Sequence, residues 1–252
     1  MKEKQILNSS TPLFASPSIC SGLETECLFG EIFIVEEVFG NWAFGRLETD
    51  GYHGWIDVNA LGEILETNHR VCVPRSVATV KSDIKSSTRI ILPLGSLVRV
   101  IQEDDKHKVI STISGKGFVP SNHLIEKHSI ISDWVSVAEA LINVPYRWGG
   151  RNSRAIDCSA LVQLALQSFG VRSPRNTGDQ QMCLGEELKA DEILHRGDIV
   201  FWKGHVGIMQ DTTDIIHANA FSNNVFSEKL EETTMRLKGE VGTVAKISRI
   251  IS

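Results

Sequence analysis

Three side chains have the types and the spacing to do covalent acyl chemistry. The string YRWGGRNSRAIDCSALVQ, residues 146–163, places Cys158 in the first turn of an expected helix, directly after a glycine-rich loop. A free thiol has a pKa of ~8.5 and is mostly protonated at neutral pH, while a helix N-terminus and a nearby imidazolium both stabilise the anion. Lowering that pKa by a little more than ~1.5, about 2 kcal/mol, makes thiolate the dominant form, and this is the expectation for Cys158. Its expected partners are His205 in GHVGIM and His217 in IIHANA, each within a stretch of strand character. A thiolate, a base and a group that orients the base are the parts needed to attack a carbonyl, hold a tetrahedral oxyanion and form a thioester.

Side chains alternate along a strand, so the length of the hairpin loop decides whether the two rings share a face. With Asp211, Thr212 and Thr213 as a three-residue loop, Gln210 opposes Asp214 and His217 opposes Gly207, leaving His205 on the same face two residues away. The rings are then diagonal neighbours, ~7–8 Å apart at the backbone, which allows His217 to orient His205 and His205 to take the Cys158 proton. A loop of two or four residues places them on opposite faces unless a bulge intervenes.

The elements that must hold these residues follow from periodicity. Trp134, Val137, Ala138, Leu141 and Ile142 recur at helical spacing, and residues 143–146 with Pro145 end the pattern. A second helix opens at Cys158, with Ala160, Leu161, Leu164, Ala165 and Phe169 on one face and Gly170 as its stop. Strands are expected at 198–209, 215–220 and 244–251, which makes this half an α+β domain. Upstream, from Leu13 to about Lys127, short alternating apolar segments punctuated by Gly, Asn and Asp predict a β-rich half. A weak repeat runs through it: LFGEIFIVEE, NWAFGRL and DGYHGWIDVNAL are answered by LPLGSLVRVIQE, HKVISTI and GKGFVPSNHL. Each copy closes on a Gly-aromatic-apolar unit, Gly54-Trp55-Ile56 and Gly117-Phe118-Val119. Two small barrels of about five or six strands fit, at 8–65 and 66–128, with the third domain at 129–252.

Composition narrows the function classes. Of 252 residues, 42% are hydrophobic and 23% charged, ordinary for a chain that buries a core. The 26 Lys and Arg against 31 Asp and Glu give a net charge of -5, so the basic footprint of a nucleic-acid binder or a membrane-surface protein is missing. Five cysteines, Cys20, Cys27, Cys72, Cys158 and Cys183, are odd in number and lack CxxC spacing, so neither a disulfide framework nor a zinc ribbon is indicated. Together with an N-terminal stretch without an export signal, this gives a cytoplasmic expectation.

YRWGG, the triplet Asp157-Cys158-Ser159 at a helix start, SPRNTGDQ (173–180), RGDIVFW (196–202), GHVGIM and IIHANA together resemble the NlpC/P60 cysteine peptidases over about residues 130–252. The first two modules resemble bacterial SH3-like domains. The resemblance implies a papain-like α+β domain after two SH3-like barrels. It further implies Cys158 as nucleophile, His205 as base and His217 as orienting third member, cleaving bacterial cell-wall peptides without a cofactor. One departure is Ala160, where glycine is commoner after DCS, and this is expected to alter packing only. Tandem SH3-like modules before such a domain are similar to the γ-D-glutamyl-L-diamino acid endopeptidases of the dipeptidyl-peptidase VI type. These act on short murein peptides with a free N-terminal L-alanine. That likeness implies that Asp157 helps bind the substrate amine, that Thr177 lines the same pocket with Ser159 and Tyr146 nearby, and that Tyr52 of the first module closes it. An acidic residue of that module, Glu24, Glu26 or Glu31, is also implied.

Plainer readings stand beside these. Cys158 is also suited to a helix core, Asp157 to a helix cap, and the aromatics around Tyr52 to filling a barrel. One thiol and two imidazoles also form a possible zinc site. Two more readings are a non-enzymatic module that grips cell-wall peptide and a transferase that passes the thioester to an amine.

Overall fold

The computed structural model describes residues 1–250; Ile251, the last residue of the expected C-terminal strand, lies outside them. The chain divides into two compact units, Met1–Ile130 and Ile131–Ser252. Among the described residues no helix is long and apolar enough to cross a membrane.

The first unit carries two seven-stranded antiparallel sheets. Counting the strands of each module from its own N-terminus, both sheets have the order third, second, sixth, fifth, fourth, first, seventh. The weak sequence repeat is therefore a repeat of topology. Both fourth strands carry an irregularity at the same place, Val35/Glu37 and Val100/Gln102, and both sixth strands bring the expected aromatic, Trp55 or Phe118, opposite the second strand. Alternation then sends Ile56 and Val119 inward, where both are buried completely. The core of the first sheet is Ile6, Leu13, Cys27, Phe33, Ala43, Leu47 and Ile56. That of the second is Val71, Ala78, Leu92, Val98, Ile110, Val119 and Leu124, joined by Phe29 from the first module.

Each barrel has more strands than the five or six expected. The first strand, Lys2–Ile6, precedes residue 8 and pairs with Ile32–Phe39. Its text, KEKQI, offers little hydrophobic signal; it is held by the buried Ile6 and by the Gln5 amide, which donates to the carbonyls of Gly30 and Leu65 and accepts from Leu65 N.

In the second unit, helix α1 covers Trp134–Glu139, shorter than its spacing suggests, and the chain then turns through Asn143, whose φ is 71°. Helix α2, Cys158–Ser168, starts and stops where expected, with Phe169 as C-cap and Gly170 at φ 86°. It is not an amphipathic surface helix: all its residues except Gln167 are buried. The polar Gln163 is accommodated because Arg151 Nε donates to it at 2.7 Å and it donates to the Ser173 carbonyl at 3.1 Å. The expected strand 198–209 is a tight hairpin, Ile199–Trp202 and His205–Met209, reversed through Gly204 at φ 76°. Asp214–Asn219 follows. Among the elements without a counterpart in the sequence reading are helix α3 at Thr177–Cys183, the strand Asn224–Lys229 and helix α4 at Leu230–Leu237.

Candidate active site

The hairpin register is the one the spacing predicts. Ile208 pairs with Ile216, Met209 with Ile215, and Gln210 N donates to the Asp214 carbonyl at 2.7 Å, so Asp211, Thr212 and Thr213 form the loop. Asp211 closes it by accepting from the backbone of Thr213 and Asp214. Gly207 then lies against His217, and a Cβ there would come within 2.7 Å of Ile215 and 3.2 Å of the His217 Cβ. A side chain there would have to displace the end of Ile215 and press on the base of the His217 side chain. Diagonal placement brings His205 Nε2 to 2.7 Å from His217 Nδ1, with the rings at 71°. His217 is fully buried; its Nε2 lies 2.8 Å from Glu228 Oε1.

Cys158 sits at the start of α2, buried, with its thiol 3.8 Å from the Thr177 hydroxyl. Among the described residues the thiol makes no direct hydrogen bond to His205; its side-chain partner is Thr177. The thiolate expectation is also corrected. Burial, and secondly the Asp157 carboxylate, push the thiol up to about 11, outweighing the Thr177 and Val206 hydrogen bonds. Desolvation, followed by the electrostatic influence of the neighbouring His217 ring and the Arg236 guanidinium, lowers His205 to about 3. The resting pair is a neutral thiol beside a neutral imidazole.

Asp157 caps α2 through Ala160 N at 2.9 Å. It also accepts from Gly149 N, from the Ser159 hydroxyl, and from Arg175 at 2.9 and 2.6 Å. Five donors occupy a carboxylate with about four lone-pair sites, so an incoming ammonium has to displace one of them. Arg175 also reaches the Ser159 hydroxyl at 2.8 Å. Gln180 Nε2 holds the Ser159 carbonyl at 2.9 Å, so Ser159 is fastened on both sides. Tyr146 is bridged to Ile156, and burial, with Cys158 and Asp157 adding, raises it to about 12, which keeps its hydroxyl protonated.

Two sequence profiles match: the NlpC/P60 family over residues 143–239 and the bacterial dipeptidyl-peptidase SH3 domain over 13–61. The chain is 32% identical over 120 residues to the probable endopeptidase NlpC of Escherichia coli K12, covering 44% of this chain and 76% of that protein. It belongs to the NlpC/P60 family of cysteine peptidases. A full-length likeness is to dipeptidyl-peptidase 6 of Lysinibacillus sphaericus, 28% identical over 243 residues, spanning 87% of this chain and 89% of that one. In fold it is similar to an NlpC/P60 family protein from Bacillus cereus, with a TM-score of 0.85, 18% identity and complete coverage of both chains.

The SH3 profile of this NlpC/P60 protein contains Tyr52 and all three candidate carboxylates. Tyr52 donates its hydroxyl to Glu24 Oε2 at 2.7 Å. Glu31 is engaged differently, accepting from Leu28 N within its own turn and from the Thr49 hydroxyl eighteen residues on. Among the described residues of the NlpC/P60 chain, no group of three or more His, Cys, Asp or Glu side chains converges as a metal site.

Sequence reading missed Arg175, Gln180 and Asn219, although all three lie inside quoted motifs. It also missed Glu228 and Arg236. Once the strand Asn224–Lys229 is recognised, the same parity argument places Glu228: His217 pairs with Phe226, and Glu228 is two residues on, on the same face.

Proposed function

We propose that this NlpC/P60 peptidase hydrolyses the γ-D-Glu–diamino acid bond of short murein peptides with a free N-terminal L-alanine, in cytoplasmic recycling of cell-wall peptides. The observation carrying the chemistry is the 2.7 Å bond between His205 and His217 on one hairpin face, beside a buried Cys158 at a helix start. With Nε2 engaged, His205 has Nδ1 left to act as base. As the Cys158 sulfur attacks the carbonyl carbon, its proton passes to Nδ1, so the thiolate forms only as it is consumed. The oxyanion takes the Cys158 N–H, which has no partner within the helix. Collapse breaks the C–N bond, and the His205 proton leaves on the diamino acid amine. Water then attacks the thioester, giving its proton to His205, which returns it to the sulfur as the acid departs.

Three observations support the substrate class. The likeness to dipeptidyl-peptidase 6 extends through the barrels as well as the peptidase domain, the first barrel matches a dipeptidyl-peptidase SH3 profile, and Tyr52 is paired with a carboxylate suited to an ammonium group. The five cysteines, all free thiols, accord with a reducing compartment. Mass-spectrometric digestion of free and N-acetylated L-Ala-γ-D-Glu-diaminopimelate tests the reading. Cleavage of the free peptide alone, at the γ-D-Glu bond, is the expected result; equal cleavage of both removes amine recognition.

A further inference from the structure

The two imidazoles are joined to a longer chain of polar groups. Glu228 has a side chain only 9% exposed, and its Oε1 meets His217 Nε2 at 2.8 Å. Arg236 grips both oxygens, Nη1 to Oε2 at 2.8 Å and Nη2 to Oε1. Arg236 comes from α4, which follows the Glu228 strand directly. Arg236 is itself placed over the Phe221 ring, 4.5 Å from its centre.

We propose that Glu228, clamped by Arg236, is a positioning residue that sets the direction of every hydrogen bond from His217 to His205, so that His205 faces Cys158 with a lone pair. The inference rests on reading Cys158 and His205 as nucleophile and base. An ionised carboxylate accepts and cannot donate, so His217 Nε2 must carry hydrogen. A neutral imidazole has one N–H, which makes His217 Nδ1 an acceptor. His205 Nε2 must then donate across the 2.7 Å contact, and its Nδ1 is left unprotonated. With the opposite tautomers, His205 would carry its hydrogen on Nδ1 and lose its function as a base. Charge supports this: burial tends to raise Glu228, but bonds from Arg236 and His217 hold it well below the usual carboxylate range, so it stays ionised.

The opposing pull is visible in the same site. The Asn219 amide nitrogen lies 3.2 Å from His217 Nε2, and its oxygen is occupied by Ser222 N at 2.7 Å and the Ser222 hydroxyl at 2.9 Å. Asn219 thus presents an N–H toward Nε2 and favours the wrong tautomer. Glu228 is the group that overrides it.

The test is nitrogen-15 NMR of histidine-labelled full-length chain at neutral pH, which reads each ring's tautomer. Expected are hydrogen on Nε2 of both His217 and His205 in the wild type, and loss of that arrangement in Glu228→Gln, which is uncharged and has one acceptor oxygen where Arg236 grips two, so that its NH2 is turned from the guanidinium toward His217 Nε2. Alongside it, kcat on the tripeptide should fall about 10- to 100-fold with KM within about threefold, and iodoacetamide should alkylate Cys158 about tenfold more slowly. Hydrogen on His217 Nδ1 in the wild type overturns the proposal, as do wild-type tautomers, kcat and alkylation in folded Glu228→Gln. If that variant does not fold, Arg236→Lys, which keeps a cation on the carboxylate, should retain the wild-type tautomers, and inverted ones overturn the proposal. Should the wild type leave the tripeptide uncut, the substrate reading fails while the spectra and the alkylation still decide this one.

Discussion

The barrels and the peptidase domain fill their interiors with different chemistry. The first barrel closes on Ile6, Leu13, Phe33, Leu47 and Ile56, and a buried acid such as Glu31 serves to tie a turn. The second unit buries Arg151, Asp157, Gln163, Arg175, Gln180 and His217, linked in runs: Arg151 to Gln163 to Ser173, Arg175 to Asp157 to Gly149, and Arg236 to Glu228 to His217 to His205. Apolar packing fixes where a side chain sits but leaves no preference for where a proton points. Hydrogen-bond networks in a low dielectric impose that preference, at the cost that any missing member leaves a buried polar group unsatisfied.

The contrast breaks most visibly at the nucleophile. Cys158→Ala should lower tripeptide turnover by at least about 10⁴-fold with an unchanged near-UV circular dichroism spectrum. Retained turnover refutes the assignment. Next in size is a matched pair of stability measurements. Arg175→Met strands the buried Asp157 carboxylate and should cost about 3–5 kcal/mol in urea denaturation, part of it recovered by adding Asp157→Asn. Phe33→Ala should cost a similar ~3–5 kcal/mol through a cavity, with kcat of the folded fraction unaltered. If adding Asp157→Asn restores nothing, the polar network is not what Arg175 supports.

A smaller effect separates the two units by pH. His205 is held at about 3 in the folded chain against an ordinary 6.5, so between those values the unfolded chain binds the extra proton. Stability is therefore fully present above pH ~6.5 and declines as pH falls toward 3, by about 1–2 kcal/mol at pH 5. Urea midpoints of wild type and His205→Gln, compared at both pH values, should converge at the acid end; parallel curves count against a neutral buried ring. The smallest effect is expected at Tyr52→Phe, which removes the bond to Glu24. It should change stability by less than about 1 kcal/mol while narrowing the preference for free over acetylated peptide. An unchanged preference detaches Tyr52 from the amine.

The features legible in advance were local ones. The start of α2, its glycine stop and the three-residue hairpin loop are encoded within a few residues of each other, and so is the shared face of His205 and His217. The features hidden in the text depend on distant partners. KEKQI is a strand because Ile32–Phe39 pairs with it. VFSEKLEETT looks polar and exposed, yet its Glu228 is half-buried, bonded to a histidine eleven residues away and an arginine on the next helix.

By itself, then, the order of residues determined periodicity, caps and parity, because these depend on backbone geometry over one turn or one hairpin. It thereby named the thiol and both imidazoles. The tertiary fold alone decided their protonation and direction: a thiol kept neutral by burial, an imidazole stripped of charge by desolvation, and a carboxylate delivered from another strand. Desolvation and the field of surrounding charges are properties of what packs against a group, and no local pattern of residues carries them.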